Sequence, residues 1–291
     1  MKESIGEARR RCVSVLEPLY GRREAMGMID LLFDKCFGID RLALIMKEDR
    51  QLDEEQHGLL DSYIGDLLNF RPVQHIIGSV DFCGCVIGVS PDVLIPRPET
   101  AEMMSLIFDA WKGRIPKKIV DVCSGSGCIA ISAAKHFTGS EVVAIELSEK
   151  AIGLAELNAR SNNVGVRFIK ADILSPSVEL SSSPVDLVIC NPPYICESER
   201  ASMQRNVLDY EPDMALFVSD SDPLVFYRAI LEKALRCLDS KGEVWFEMNE
   251  AKRSEMAELC DMLGFSSEFF KDINGKWRFC RARRFDHETR V

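Results

Sequence analysis

Lys118-Ile119-Val120-Asp121-Val122-Cys123-Ser124-Gly125-Ser126-Gly127-Cys128-Ile129-Ala130-Ile131-Ser132-Ala133-Ala134 reads as a buried strand, a tight turn and the first turns of a helix. Gly125, Gly127 and Ala130 fit the G-x-G-x-x-G/A spacing. Glu146 closes the next apolar strand, Glu141-Val142-Val143-Ala144-Ile145, at the separation expected of a ribose-binding acid. This is a strand-turn-helix of nucleotide-binding type. Asp121, at the end of the first strand, repels a pyrophosphate and suits a cation such as an α-amino group. Capping of the following helix is the alternative use of the same carboxylate. S-adenosylmethionine has an ammonium group, a ribose diol and no phosphate. It is the expected cofactor, with Asp121, Cys123, Ser124, Gly125, Ser126, Gly127 and Glu146 as its candidate ligands.

From residue 117 onward strand, loop and helix alternate, which predicts a mostly parallel sheet covered on both faces. Its third strand, Val166-Arg167-Phe168-Ile169, leads to Asp172 and Ile173. The fourth, Val185-Asp186-Leu187-Val188-Ile189-Cys190, leads to Asn191-Pro192-Pro193-Tyr194. Open α/β sheets bind ligands at the carboxyl ends of strands where the strand order reverses, so these four strand ends are expected to line one crevice. Asp121 is then expected to face the methionine amine, Glu146 the ribose, Asp172, with Ile173 beside it, the adenine, and Asn191 the boundary between cofactor and substrate, in contact with both. Ile119, Leu154, Leu157 and Val188 are read as core.

Asn191 to Tyr194 is suited to gripping a planar NH₂ group. The Asn191 side-chain oxygen and the Pro192 carbonyl are two acceptors, and proline contributes no competing donor. Together they hold both hydrogens of one nitrogen and leave its lone pair facing an electrophile. Pro193 is the rigid support, and the Tyr194 ring lies against the flat substrate group. A turn after a strand uses the same residue types. Their combination with an upstream glycine turn points to the functional reading.

The first eighty residues look helical, with Met26, Ile29, Leu32, Phe33 and Phe37, and Leu59, Leu60, Tyr63, Ile64, Leu67 and Leu68, at helical spacing. Gly78 to Ser90 reads as a β-hairpin. The expected division is a helical domain over 1–77, a connecting hairpin over 78–95 and an α/β domain over 96–291. The chain has 291 residues, 46% of them hydrophobic, enough for a substantial core. No apolar run approaches the roughly 20 residues that cross a membrane. No secretory signal precedes the eleven cysteines, so a cytoplasmic location with reduced thiols is expected. Cys83-Gly84-Cys85 and four scattered histidines lack zinc-ligand spacing, and no metal is expected. A net charge of −10 argues against a protein built to grip duplex DNA. Arg9, Arg10, Arg11, Arg22 and Arg23 are read as a solvated helix face, a local basic patch being the alternative.

These residues carry a resemblance that runs from about residue 70 to the C-terminus. Arg71-Pro72-Val73-Gln74-His75-Ile76-Ile77-Gly78, Val93-Leu94-Ile95-Pro96-Arg97-Pro98-Glu99-Thr100, Asn191 to Tyr194, Tyr210-Glu211-Pro212 with Ala215-Leu216, and Lys271-Asp272-Ile273-Asn274-Gly275 with Arg278 occur in order. The chain resembles the protein N5-glutamine methyltransferases that modify peptide chain release factors. The resemblance implies a Rossmann-like class I S-adenosylmethionine-dependent methyltransferase domain, with a small N-terminal helical domain that recognises the partner. It further implies methyl transfer to the glutamine of a Gly-Gly-Gln motif in class 1 release factors, with Asn191, Pro192, Pro193 and Tyr194 at the reaction centre and no sequence-specific nucleic-acid binding. Cys123-Ser124 stands where the family has Gly-Thr, Ala101 where it has Glu, and Glu247-Met248-Asn249 where it has Glu-Ile-Gly. Ribosomal-protein glutamine methyltransferases and adenine-N6 DNA methyltransferases use a similar tetrapeptide. The former usually reads Ser-Pro after Pro-Arg, so Arg97-Pro98-Glu99-Thr100 favours the release factor. A vestigial binding module would be expected to lose Asp121, Glu146 or Asn191 first.

Overall fold

The computed structural model describes residues 3–46 and 48–285. The last residues of the expected α/β domain, His287 among them, lie outside the described residues. The chain divides into two compact units, Met1–Ser79 with Gln204–Tyr210, and Val80–Met203 with Glu211–Val291.

The first unit holds α1 (Ile5–Tyr20), α2 (Arg22–Phe37), α3 (Arg41–Met46), α4 (Glu54–Leu68) and α5 (Val73–Ile77). Capping boxes start α1 and α4. Ser4 and Glu7 exchange side-chain and backbone hydrogen bonds at one, Asp53 and Gln56 at the other. Ile5, Leu16, Ile29, Leu32, Phe33, Leu60 and Leu67 are fully enclosed. Of the residues read as periodic, Leu59 and Leu68 are instead exposed at 40% and 39%, because they sit at the rim of the α4 stripe. Arg9, Arg10, Arg11 and Arg22 pair with Asp30, Glu48, Glu3 and Glu17 respectively, so these four arginines form no open basic patch.

The second unit begins with a hairpin of β1 (Ser79–Phe82) and β2 (Cys85–Gly88), followed by α6 (Pro98–Ala110). The glycine-turn stretch becomes β3 (Lys118–Val122) and α7 (Cys128–His136). Then come β4 (Glu141–Glu146), α8 (Glu149–Ser161), β5 (Arg167–Lys170), β6 (Val185–Cys190) and β7 (Ile195–Cys196). The short α9 (Arg205–Leu208) belongs to the first unit. The second unit resumes with α10 (Asp213–Leu216), β8 (Phe217–Val218), α11 (Val225–Cys237), β9 (Leu238–Glu247), α12 (Arg253–Met262), β10 (Phe265–Lys271) and β11 (Trp277–Arg284). Seven strands form one sheet in the order β10-β11-β9-β6-β3-β4-β5, parallel from β9 to β5 and antiparallel at β11.

Alternation along β3 explains why all five of its residues are buried. Val120 and Val122 pack with Tyr227, Ile230 and Leu231 of α11, while Ile119 packs with Met103 and Met104 of α6 and Ile129 of α7. Both faces are therefore covered. The chain runs from β3 to β4 and β5 on one side and returns to β6 on the other, so the order reverses at β3, and a ligand crevice belongs at its carboxyl end. Leu157 departs from its expected core position. It is 55% exposed, because the inner stripe of α8 runs through Ala151, Ala155, Asn158 and Ala159.

Gly127 tightens the turn between β3 and α7. Its φ is +79°, and a Cβ there would lie 3.0 Å from Ala155 Cβ and 3.2 Å from Ile131 Cδ1. Gly127→Ala is expected to cost about 1–3 kcal/mol through left-handed backbone strain and overpacking. The thermal midpoint should fall by about 2 °C or more. A midpoint unchanged to within about one degree would show that the turn tolerates the side chain.

Candidate active site

An open cleft lies at the carboxyl ends of β3, β4, β5 and β6. Cys123 and Gly125 line it from the turn after β3, Glu146 from β4, Asp172 and Ile173 from the loop after β5, and Asn191 and Pro193 from the loop after β6. The opposite wall carries Val93 and Leu94 with Pro212 and Ala215. These four residues came from two sequence motifs with no assigned role. A half-buried ion pair joins the motifs, since Arg97 Nη2 lies 2.5 Å from Glu211 Oε1 and Glu211 Oε2 accepts from the Ile95 amide at 2.9 Å.

Glu146 organises the floor. One oxygen accepts from Gly125 N at 2.8 Å, and the other from Leu147 N and Ser148 N at 2.8 and 2.9 Å. The carboxylate thus ties the glycine turn to the start of α8 and retains lone pairs for a diol. Gly125 has φ +52° and open space where a Cβ would stand, so the backbone presents itself to the cleft. Cys123 adopts φ +59°, a conformation in which glycine is at ease and a Cβ is strained. Asp172 Oδ1 accepts from Leu174 N at 2.9 Å, which fixes its loop.

Four of the expected cofactor ligands, Asp121, Ser124, Ser126 and Gly127, do not line the cleft. Asp121 lies on the α7 face of β3 with no exposed surface, and its Oδ2 accepts from Ala130 N at 3.0 Å. Oδ2 thus makes the helix-capping contact, because strand alternation turns the side chain toward α7. Oδ1 of Asp121 and the Ser124 hydroxyl are buried with no hydrogen-bond partner. Burial, above all, holds the Asp121 carboxyl well above the usual carboxylate range. The Ala130 amide opposes the rise and Glu146 adds to it. Asn158 was missed in the sequence. Its amide bonds Ser126 O at 2.9 Å and both the carbonyl and amide of Gly88, pinning the glycine turn to the hairpin. An Asn on the inner stripe of an otherwise alanine-lined helix was the available signal.

Asn191 Nδ2 donates to Thr100 Oγ1 at 3.1 Å, Thr100 Oγ1 donates to Glu247 Oε2 at 2.7 Å, and Tyr194 OH donates to Glu247 Oε1 at 3.0 Å. Tyr194 is not on the cleft wall. Its ring packs against the core and its hydroxyl points to Glu247. Glu247 ends β9 on the strand face shared with Trp245, which turns it toward α6 and Thr100. Burial raises the Glu247 carboxyl above its ordinary range, opposed by hydrogen bonds from Thr100 and Tyr194 and by the charge of Arg278. Burial likewise pushes up the Tyr194 phenol, with Glu247 adding to the rise. Among the described residues no cluster of three or more His, Cys, Asp or Glu could hold a metal ion, and no helix is long and apolar enough to cross a membrane.

Known proteins share this architecture and sequence. Residues 103–209 match the Methyltransferase small domain, and residues 7–78 match the PrmC N-terminal domain. The release factor glutamine methyltransferase of Bacteroides thetaiotaomicron is 36% identical over 92% of this chain and 96% of its own length. That of Flavobacterium psychrophilum is 35% identical over 96% and 98%. The chain belongs to the release factor glutamine methyltransferase family. The solved hMettl16 catalytic domain in complex with MAT2A 3'UTR hairpin 6 is 16% identical, with a TM-score of 0.57 over 75% of this chain and 84% of that one, and shares the fold.

As a member of that family the protein is an S-adenosylmethionine-dependent methyltransferase. The cleft fits that cofactor. A carboxylate with free lone pairs stands at the end of β4, the backbone lies open at Gly125, and two unpartnered buried acceptors lie beneath the turn.

Asp121 makes the stability of the ligand-free release factor methyltransferase fold depend on pH. With its folded pKa raised, the folded state binds more protons than the unfolded chain above the ordinary Asp pKa, so stability falls as pH rises through the folded value. Asp121→Asn removes that loss. The thermal midpoint of the variant relative to wild type should therefore climb as pH rises above the ordinary Asp value of about 4. A difference that stays constant as pH rises would contradict the raised pKa.

Proposed function

We propose that this enzyme methylates the side-chain nitrogen N5 of the glutamine in the Gly-Gly-Gln motif of class 1 peptide chain release factors, in the cytoplasm. The observation that carries the reading is Asn191, which stands at the end of β6 on the rim of the cofactor cleft with its Nδ2 already committed to Thr100. Its oxygen remains for the substrate amide, and the Pro192 carbonyl beside it is the second acceptor. The −10 net charge and the ion-paired arginines of α1 and α2 support a protein substrate over a nucleic acid.

An amide nitrogen is a poor nucleophile because its lone pair is delocalised into the carbonyl. The cofactor supplies an electrophilic methyl group on a sulfonium. The chain's contribution is placement, with Cys123, Gly125, Glu146, Asp172 and Ile173 holding the cofactor and Asn191 and Pro192 the acceptor amide. Pro193 fixes the angle of the loop. Alignment of this kind lowers a barrier by roughly 7–11 kcal/mol. Hydrogen bonds to Asn191 Oδ1 and the Pro192 carbonyl strengthen as positive charge grows on the nitrogen, which favours the transition state over the ground state. The C–S bond breaks as the C–N bond forms, the sulfonium departs as a neutral thioether, and the proton made acidic on the methylated nitrogen passes to solvent, so no side chain is assigned as a general base.

Mass spectrometry of a release factor incubated with the purified enzyme and S-adenosylmethionine tests the proposal. One added methyl group on the glutamine of the Gly-Gly-Gln peptide is expected, with free glutamine a very poor substrate. An unmodified release factor, or a methyl group found only on a ribosomal protein, would overturn it.

A further inference from the structure

Behind Asn191 lies a chain of hydrogen bonds whose direction is fixed by the number of hydrogens available. A hydroxyl group has one hydrogen to donate. Thr100 is 2% exposed and places that hydrogen on Glu247 Oε2 at 2.7 Å, so toward Asn191, 3.1 Å away, it can only accept. The Asn191 NH₂ must therefore face Thr100, and its carbonyl oxygen must face away. An asparagine with neutral surroundings could present either end of its amide. With the NH₂ outward it would meet the NH₂ of a substrate glutamine donor to donor.

Glu247 sets the direction. Its carboxylate, 1% exposed, accepts from Thr100 on one oxygen and from Tyr194 on the other. Tyr227 OH donates to the Glu247 backbone carbonyl at 3.1 Å, and Asn249 Nδ2 reaches both Glu199 Oε2 at 2.9 Å and the Tyr194 carbonyl at 3.4 Å, so strand end and tetrapeptide are fixed from several sides. A buried carboxylate is expensive to desolvate. Here it makes the Thr100 and Tyr194 hydroxyls donors toward itself.

We propose that Thr100 and Glu247 are positioning residues for methyl transfer, acting through Asn191 to hold its carbonyl oxygen toward the substrate nitrogen. The proposal rests on the glutamine reading of the site given above. Neither residue touches the substrate. Thr100→Ser keeps the donor and acceptor, Thr100→Val keeps the shape and loses both, and Glu247→Gln keeps the size but offers an NH₂ where one oxygen stood. That NH₂ can donate to Thr100, freeing the hydroxyl hydrogen to turn to Asn191 and reverse its amide.

The full-length enzyme is assayed on a release factor for kcat and KM, with cofactor Kd by calorimetry and thermal midpoint in parallel. Thr100→Val should lower kcat at least about tenfold, with KM and cofactor Kd within about twofold of wild type, and Thr100→Ser should recover to within about threefold. Glu247→Gln, relieved of a buried charge, should keep or raise the thermal midpoint while kcat falls about tenfold or more, a divergence that a merely structural role does not produce. In an Asn191→Ala background, Thr100→Val should add no further loss of rate, since its route to the substrate is gone.

Normal kcat in Thr100→Val, a Thr100→Ser variant as slow as Thr100→Val, or multiplicative losses in the double variant would overturn the proposal. If Thr100→Val does not fold, Glu247→Gln decides. A folded and slow variant supports the proposal, while a folded variant at wild-type rate, or one that unfolds, removes it. A wild-type enzyme inactive on release factor would instead remove the underlying reading, a failure visible before any variant is compared.

Discussion

The carboxylate of Glu247, enclosed at the end of β9, is the charge around which the Asn191 end of the cleft is arranged. It receives hydroxyl hydrogens from Thr100 of α6 and from Tyr194 of the tetrapeptide, and through Thr100 it constrains Asn191. A strand, a helix and a loop are thus brought into register by one acceptor group. Burying an ionised carboxylate without such partners would cost several kcal/mol. Packing alone does not distinguish the two ends of an asparagine amide, whereas a string of donors ending on a carboxylate does.

The cofactor side of the cleft obeys a similar economy. Glu146 holds the glycine turn and the start of α8 with three backbone hydrogen bonds and keeps lone pairs for a diol. Asp121 stands one layer deeper, where it holds the first turn of α7. The two carboxylates of the motif have separated roles, one facing the cleft and one supporting the helix beneath it. The difference follows from strand alternation. Asp121 lies within β3 and points to the helix face, whereas Glu146 is the last residue of β4, where the chain turns into the crevice.

Much of this was legible in the sequence because its signals are local. The β3 turn and α7 follow from a buried strand, two glycines and a small-residue helix. The order of the parallel strands follows from their alternation with helices, and Asn191 from its place after β6. Cys123, Gly125, Glu146, Asp172, Ile173 and Asn191 all reach one cleft. The Asp121 carboxylate was left open in the sequence between a cation ligand and a helix cap, because its strand face cannot be told without knowing which face α7 covers. The contact between Tyr194 and Glu247 could not be read because they lie 53 positions apart, and Thr100 is 147 positions from the same carboxylate. Long-range hydrogen bonds leave no periodicity in a sequence. The Arg97–Glu211 pair, spanning 114 positions, was invisible for the same reason, although each partner stood inside a recognised motif.

The rate of Asn191→Asp on a release factor, set beside that of Asn191→Ala in folded protein, tests the account most directly. Aspartate keeps an acceptor and the shape but loses the NH₂ that donates to Thr100, and it adds a negative charge near a sulfonium whose positive charge disappears during transfer. That charge stabilises the ground state more than the transition state. The account predicts that both variants bind cofactor and are slower than wild type by about two orders of magnitude or more, equivalent to roughly 3 kcal/mol of transition-state stabilisation. A near-normal rate for Asn191→Asp would mean that residue 191 only ends the strand, as a turn-forming aspartate also does, and would contradict the assignment.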